Sequence, residues 1–298
     1  MRIATQSITS GIISQLQDLS SRQTQLQGQV STGQRITQAE DDPAAMGRVL
    51  TIQNQRNQIQ QYKNNADQAM QVSQATYAGL QSIKKLSDRA GELATLGASV
   101  QSSSSYQAYA TEINQLIEQG LQTANTQQGA NYIYGGTATS AAPFSATRDV
   151  AGNITAVTYN GSTAGTSIPL SSTSNISPGT DGTTNQQLSG FLNNLVSLRN
   201  ALQSGNSSTV SGVQTALHTS EDNIVNTMSE QGAVQLRIQV SQDQLTNDYT
   251  NLQKLISNDT DADMSTTLVQ LNQSQTAYQA ALQSSASIMK VSLLDYIK

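Results

Sequence analysis

Residues 210–255, VSGVQTALHTSEDNIVNTMSEQGAVQLRIQVSQDQLTNDYTNLQKL, carry the longest unbroken periodicity in the chain. Alternating steps of three and four pick out Val210, Val213, Leu217, Ser220, Ile224, Thr227, Gln231, Val234, Ile238, Ser241, Leu245, Asp248, Leu252 and Leu255. One half of this seam is almost wholly aliphatic and the other mixes small and polar residues. No proline interrupts it. A helix of this extent is about 70 Å long at ~1.5 Å per residue and needs neighbours along its whole length. A bundle of long helices is therefore expected.

The neighbours lie on both sides in the sequence. Asp42-Pro43 reads as a helix start, with an N-cap followed by a first-turn proline. The tract it opens runs to about Leu96 with Tyr62, Ala66, Ala69, Ser73, Leu80, Ile83 and Ala90 on one stripe. Ser102–Ser105 offers a loop and an N-cap for a helix from about Tyr106 to Thr126. Leu188, Leu192, Leu195, Leu198 and Leu202 mark another, closed by Ser204-Gly205-Asn206. Between these helices the character changes. Pro143-Phe144, the alternating run Ile154–Tyr159, Asn160-Gly161 and Ile168-Pro169-Leu170 predict short strands, with Asn160-Gly161 as a hairpin signal. A unit of this size cannot build a large core and is expected to lean on the helices.

The two ends resemble each other. Ile12, Leu16, Leu19, Leu26 and Val30 follow the three–four step near the start, and Leu268, Leu271, Tyr278, Leu282 and Met289 follow it near the close. So few apolar side chains do not offset the ordering of some thirty backbones apiece. Each end is expected to be mobile alone and helical once packed on the other and on neighbouring subunits. These ten residues are the predicted partner-binding positions. The fold expected is mainly α: an elongated helical rod with a terminal coiled-coil pair (1–40 and 260–298), a helical shaft (41–135 and 186–259) and a small inserted β-containing tip domain (136–185).

Composition narrows the function classes. Hydrophobic residues make up 36% of the 298 and aromatics 4%, with no Trp, which suits slender bundles more than a thick core. Net charge is −5 with only 12% charged residues, so nothing basic enough to draw nucleic acid or an acidic membrane is present. No run approaches the ~18–20 apolar residues of a membrane span, and the first residues lack a secretory apolar core. With one histidine and no cysteine, Cys–His pairs and His-rich zinc sites are impossible. His218 falls off the seam, on a solvated helix face. Asp259-Thr260-Asp261-Ala262-Asp263 opens like a calcium loop, but Met264 and Gln270 stand where Gly and Glu are needed. It reads instead as a cap and hinge between two helices. No catalytic, cofactor-binding or metal-ligating residue is predicted.

Gln29-Val30-Ser31-Thr32-Gly33-Gln34-Arg35-Ile36, followed by Asp41-Asp42-Pro43-Ala44-Ala45, resembles the S-G-x-R-I … D-D-P-A signature of the flagellin and hook-associated protein family of bacterial flagella. Gly33 permits a left-handed helix stop, and Gly33, Arg35, Asp41, Asp42 and Pro43 form the predicted structural turn. Thr32 in place of Ser and Gln34 in place of Lys are mild departures. Met1-Arg2-Ile3-Ala4-Thr5, Tyr132-Ile133-Tyr134-Gly135-Gly136-Thr137 and Ser292-Leu293-Leu294-Asp295-Tyr296-Ile297 are similar to the members found at the hook–filament junction. The resemblance implies an extracellular structural subunit, exported by the flagellar type III route without a cleavable signal and escorted by an export chaperone. It further implies a ring of identical subunits between the first hook-associated protein and flagellin, with no cofactor, nucleic acid, membrane or small-molecule substrate. A minor flagellin that builds filament itself, and an adhesin-like module carried by the tip, are the alternatives.

Overall fold

The computed structural model describes residues 2–99 and 102–297, with side chains for 10–99 and 102–287. Its helices are α1 (Arg2–Thr32), α2 (Pro43–Ala98), α3 (Ser103–Ala124), α4 (Gly182–Gln203), α5 (Ser207–Thr260) and α6 (Met264–Ile297). Between α3 and α4 run six short strands: β1 (Gln127–Gln128), β2 (Asn131–Tyr132), β3 (Phe144–Arg148), β4 (Ile154–Tyr159), β5 (Ile168–Pro169) and β6 (Asn175–Ile176). The chain is mainly α, as the periodicity predicts. It divides into two compact units, Met1–Gln58 with Tyr249–Lys298, and Ile59–Asp248.

The unit of residues 59–248 holds the main core. Leu80, Ile113, Ile117, Leu195, Leu198 and Leu202 are completely buried in one cluster shared by α2, α3, α4 and the start of α5. The seam of α5 faces inward as its spacing requires: Val210, Leu217, Ser220, Ile224, Thr227, Gln231, Ile238 and Leu245 are buried. Polar residues of α5 find partners on α2 and in the segment after β6. Gln231 donates from Nε2 to the Pro178 carbonyl (2.5 Å) and to Ser73 Oγ, and Gln242 donates to Asp67 Oδ1 (2.7 Å). Beyond Leu252 the register departs from expectation, since Leu255 is half exposed and Ile256 and Thr260 are buried instead. A straight helix turns every 3.6 residues and drifts off a strict seven-residue repeat, so a four-residue step replaces a three-residue one after Leu252.

The central segment forms three separate two-stranded antiparallel ribbons, β1–β2, β3–β4 and β5–β6. Asn160-Gly161 is not the hairpin turn that the sequence suggested. Strand β4 pairs with β3 before it, Phe144 opposite Tyr159 and Ala146 opposite Val157, so the turn is 149–153. There Asp149 Oδ1 accepts from the Ala151 and Asn153 amides at 2.9 Å each. The alternating run is a strand as expected, but its hairpin turn precedes it instead of following it. Asn160 instead closes the ribbon, its amide donating to the Pro143 carbonyl (2.7 Å).

Helix α4 completes what β4 lacks. Asn193 acts as a strand edge, accepting from the Val157 amide (2.9 Å) and donating to the Val157 carbonyl (2.8 Å), while Ser189 donates to the same carbonyl (2.8 Å). Buried Arg199 donates to the Ile154 carbonyl (2.7 Å) and to Asn114 Oδ1 (3.0 Å). Phe144, Ile154 and Val157 belong to the same apolar cluster as the leucines of α3 and α4. The turn Tyr134-Gly135-Gly136 is locked underneath. The Tyr134 hydroxyl donates to the Thr76 carbonyl (3.0 Å) in a fully buried setting, which raises its pKa. Gly136 has φ +62, and a Cβ there would meet the Ser162 and Ala164 carbonyl oxygens at 2.6 and 2.7 Å, so no other residue fits.

Candidate functional site: the terminal helix pair and its joint

Within the unit of the chain ends, α1 runs into the joint and α6 runs out of it, and the two pack as an antiparallel pair. Thr32 back-bonds to the Gly28 carbonyl (2.9 Å), and Gly33 then takes φ +71 while its amide still donates to the Gln29 carbonyl (2.8 Å). This left-handed residue stops α1. The following residues form a short antiparallel bridge with the end of α5, Gln34 opposite Asp261. The Arg35 amide donates to the Thr260 carbonyl (2.7 Å), and the Ala262 amide donates to the Gly33 carbonyl (2.9 Å). Both helix exits are thus tied by main-chain bonds.

Charged side chains clamp the same place. Arg35 Nη2 donates to the Asp259 carbonyl (2.8 Å), and its guanidinium lies 3.6 Å from Asp42. Arg48 grips the Asp259 carboxylate with two bonds of 3.2 and 2.8 Å, a geometry suited to guanidinium. Asp41 Oδ2 accepts from the Thr37 and Gln38 amides (3.0 Å each), holding the loop. Asp42 caps α2, accepting from the Ala45 amide (3.0 Å), with Pro43 as the first helical residue. Asp263 caps α6 through the Ser265 amide (3.0 Å) and the Thr266 hydroxyl (2.9 Å). Ile36, Ala45, Val49 and Ile256 are buried beneath this network.

The hydrogen bonds set the electrostatics. The Thr37 and Gln38 amides hold Asp41 below the usual carboxylate range; the Ala45 amide, then Arg35, does so for Asp42. Arg48 lowers Asp259, and the hydroxyl and amide of Thr266 lower Asp263. Of the aspartates read as a cap and hinge, Asp263 caps α6, while Asp259 pairs with Arg48 and Asp261 with Ser257 and Thr260. His218 is largely exposed beside Glu221.

The structure brings all five turn residues, Gly33, Arg35, Asp41, Asp42 and Pro43, into this joint. It treats the stripe residues unequally. On α1, Leu26 is buried and Ile12, Leu16, Leu19 and Val30 are half-buried. On α6, Leu271 and Tyr278 are half-buried, whereas Leu268 (45%) and Leu282 (44%) are exposed. The Met289 side chain lies outside the described residues. The inner face of α6 runs through Thr267, Leu271, Ser274, Tyr278, Ala281 and Ser285. Thr267, Ser274 and Ala281 were missed because a reading by hydrophobicity favours the adjacent leucines. Arg48 and its pairing with Asp259 were also missed, and nothing local links two residues 211 apart.

The sequence of residues 3–138 matches the family model of the bacterial flagellin N-terminal helical region. No curated protein is significantly similar in sequence. Among solved structures, the chain resembles one assigned as a flagellar hook-associated protein of Vibrio parahaemolyticus, with TM-score 0.66 and 14% identity over 74% of this chain and 100% of that one. The fold is flagellin-like. Bacillus cereus FlgL matches with TM-score 0.59 and 22% identity over 70% of this chain and 99% of its own. The flagellar junction protein FlgL of Legionella pneumophila matches with TM-score 0.53 and 13% identity over 72% and 100%. The joint lies largely within the matched span, since Gly33, Arg35, Asp41, Asp42, Pro43 and Arg48 all fall inside residues 3–138.

Proposed function

We propose that this flagellin-like chain is a structural subunit of the bacterial flagellum, forming a ring of identical copies at the hook–filament junction. One observation carries the assembly role. The α1–α6 pair uses its inner face within the subunit and still presents Ile13 (50%), Leu268 (45%), Val269 (56%) and Leu282 (44%) to the outside. Large aliphatic side chains on a weakly charged helix pair are suited to helices of other subunits. In this reading the first hook-associated protein meets one side of the ring and flagellin the other. The chain travels by the flagellar type III route, and an export chaperone covers the terminal positions beforehand. Its work is mechanical and extracellular, with no reaction catalysed.

The test is direct. Purified protein added to hook fragments bearing the first hook-associated protein should form a single terminal layer, on which flagellin then grows. Long filaments from this protein alone would make it a minor flagellin. Replacing Leu268 and Leu282 by Asp should leave the helix content and the unit of residues 59–248 unchanged while abolishing the layer. Normal layers from that variant would remove the outward leucines from the interface.

A further inference from the structure

The unit of residues 59–248 contains a cleft of about 690 Å³ between α2, the β1–β2 ribbon and the segment leading into β5. This is within the size range of ligand sites. None of its lining residues is charged. Its polar wall is made of amides and hydroxyls, chiefly Gln68, Gln71, Gln128, Asn131 and Tyr132. Val72, Ile168 and Pro178 supply an apolar side.

Several of these polar groups are unpaired within the protein, although amides just before them on α2 are not. One turn earlier, amide side chains satisfy one another: Gln60 donates to Asn64 (3.1 Å) and Gln61 to Asn65 (3.0 Å). Among the described residues, Gln68, Gln71 and the Tyr132 hydroxyl bond to no other side chain or backbone group. Gln128 Oε1 is withdrawn from solvent and has no donor, a costly arrangement for an acceptor. Gln68, Gln71 and Tyr132 thus bring unused polar groups of one neutral chemistry to one concave surface, with the unpaired Gln128 Oε1 in the same wall.

We propose that this cleft binds a neutral saccharide. A charged ligand would lose hydration there without any counter-charge. A sugar offers hydroxyls that each donate and accept, matching amides that do both. Its C–H faces suit the Tyr132 ring and the aliphatic side. The proposal is independent of the junction reading, because no cleft residue belongs to the terminal pair or its joint.

The experiment uses the full-length, isotope-labelled protein, titrated with neutral trisaccharides of glucose, galactose, mannose and N-acetylglucosamine while its amide NMR signals are followed. At least one should shift the signals of residues 128–139 and 166–168 saturably. The double variant Gln68→Ala/Gln71→Ala alters only exposed helix positions and should keep the native spectrum elsewhere. It should bind about tenfold more weakly, the factor expected for a lost hydrogen bond or two. Absence of saturable shifts with all four sugars overturns the proposal, as does equal affinity in the variant. A neutral Ser/Thr-rich peptide that saturates the cleft where no sugar does would assign the site to a peptide instead. Junction layers formed by the same variant report separately on assembly and should be unaffected.

Discussion

The two units of this chain are held together by different means. In the unit of residues 59–248, Ile113, Ile117, Leu195, Leu198 and Leu202 expose none of their surface. In the terminal pair only Leu26 is buried among the stripe residues whose side chains are described, and its inner neighbours are Ser, Thr and Ala. What the terminal unit lacks in apolar burial is partly offset by directed bonds: a two-strand bridge, a bidentate ion pair and two capping aspartates. Burial is non-directional and hard to undo locally, whereas exposed hydrogen bonds and ion pairs open one at a time. The proposed assembly role, in which the ends repack on neighbouring copies, would gain from that division.

The sharpest way to break this contrast is a pair of truncations. Leu195→Ala should cost about 2–5 kcal/mol, the range for a leucine removed from a close-packed core. Native-state amide exchange should show the loss throughout residues 59–248. Leu19→Ala, at a half-buried position, should cost under ~1.5 kcal/mol and be felt only within α1 and α6. Equal costs would mean that the terminal pair is a core like the other.

Gly33→Ala comes next. A side chain at φ +71 costs about 1–2 kcal/mol, and the strain falls on the residue whose carbonyl receives the Ala262 amide. Protection of that amide should drop while the α4 amides keep theirs. An unchanged Ala262 would place the stop of α1 under the control of other residues. A smaller effect is expected from Arg48→Ala, because exposed ion pairs contribute little. Arg48→Lys should restore only part of it, since an ammonium cannot form both bonds to Asp259. Full rescue by lysine would reduce the clamp to a simple charge attraction.

Most of the architecture was legible because it rests on periodicity. The α5 seam from Val210 to Leu252 turns inward as written, and the α4 leucines all reach the core. Legibility failed where geometry competes with hydrophobicity. On α6 the pattern favoured Leu268 and Leu282, but α1 and α6 meet through Thr267, Ser274 and Ala281, one position away. The hydroxyl of Ser274 is even buried without a partner. Small residues let two helices meet, and the displaced leucines are left outside, on the face assigned to the proposed interface. In the joint, the family-like residues Gly33, Arg35, Asp41, Asp42 and Pro43 were readable, but their contact with Asp259 was not. The hairpin erred for a similar reason. Asn160-Gly161 is a strong local turn signal, but the pairing of Phe144 with Tyr159 is decided across the chain.

The gentlest probe of the contrast is acid. Asp41, Asp42, Asp259 and Asp263 all have pKa values below the ordinary 3.8. In the unfolded chain they take up protons first, at their ordinary values, so between the two sets of values the unfolded state binds more protons. Their contribution is therefore complete above about pH 4–5 and disappears as pH falls through the folded values. Asp41 and Asp263 are exposed and Asp42 and Asp259 only half-buried, which keeps the effect small and lets salt weaken it further. Glu112 and Glu118 of the other unit are lowered as well, by Arg89 and Arg148, but they lie over a leucine core that does not titrate. Exchange protection, corrected for the intrinsic effect of pH, should thus fall first at the Arg35 and Ala262 amides and later in α4. Asp42→Asn keeps a capping oxygen but removes a titrating charge, so it should flatten the acid dependence at Arg35 without changing it in α4. Loss of both units at one pH would show that the joint and the core respond together, and the division between them would not hold.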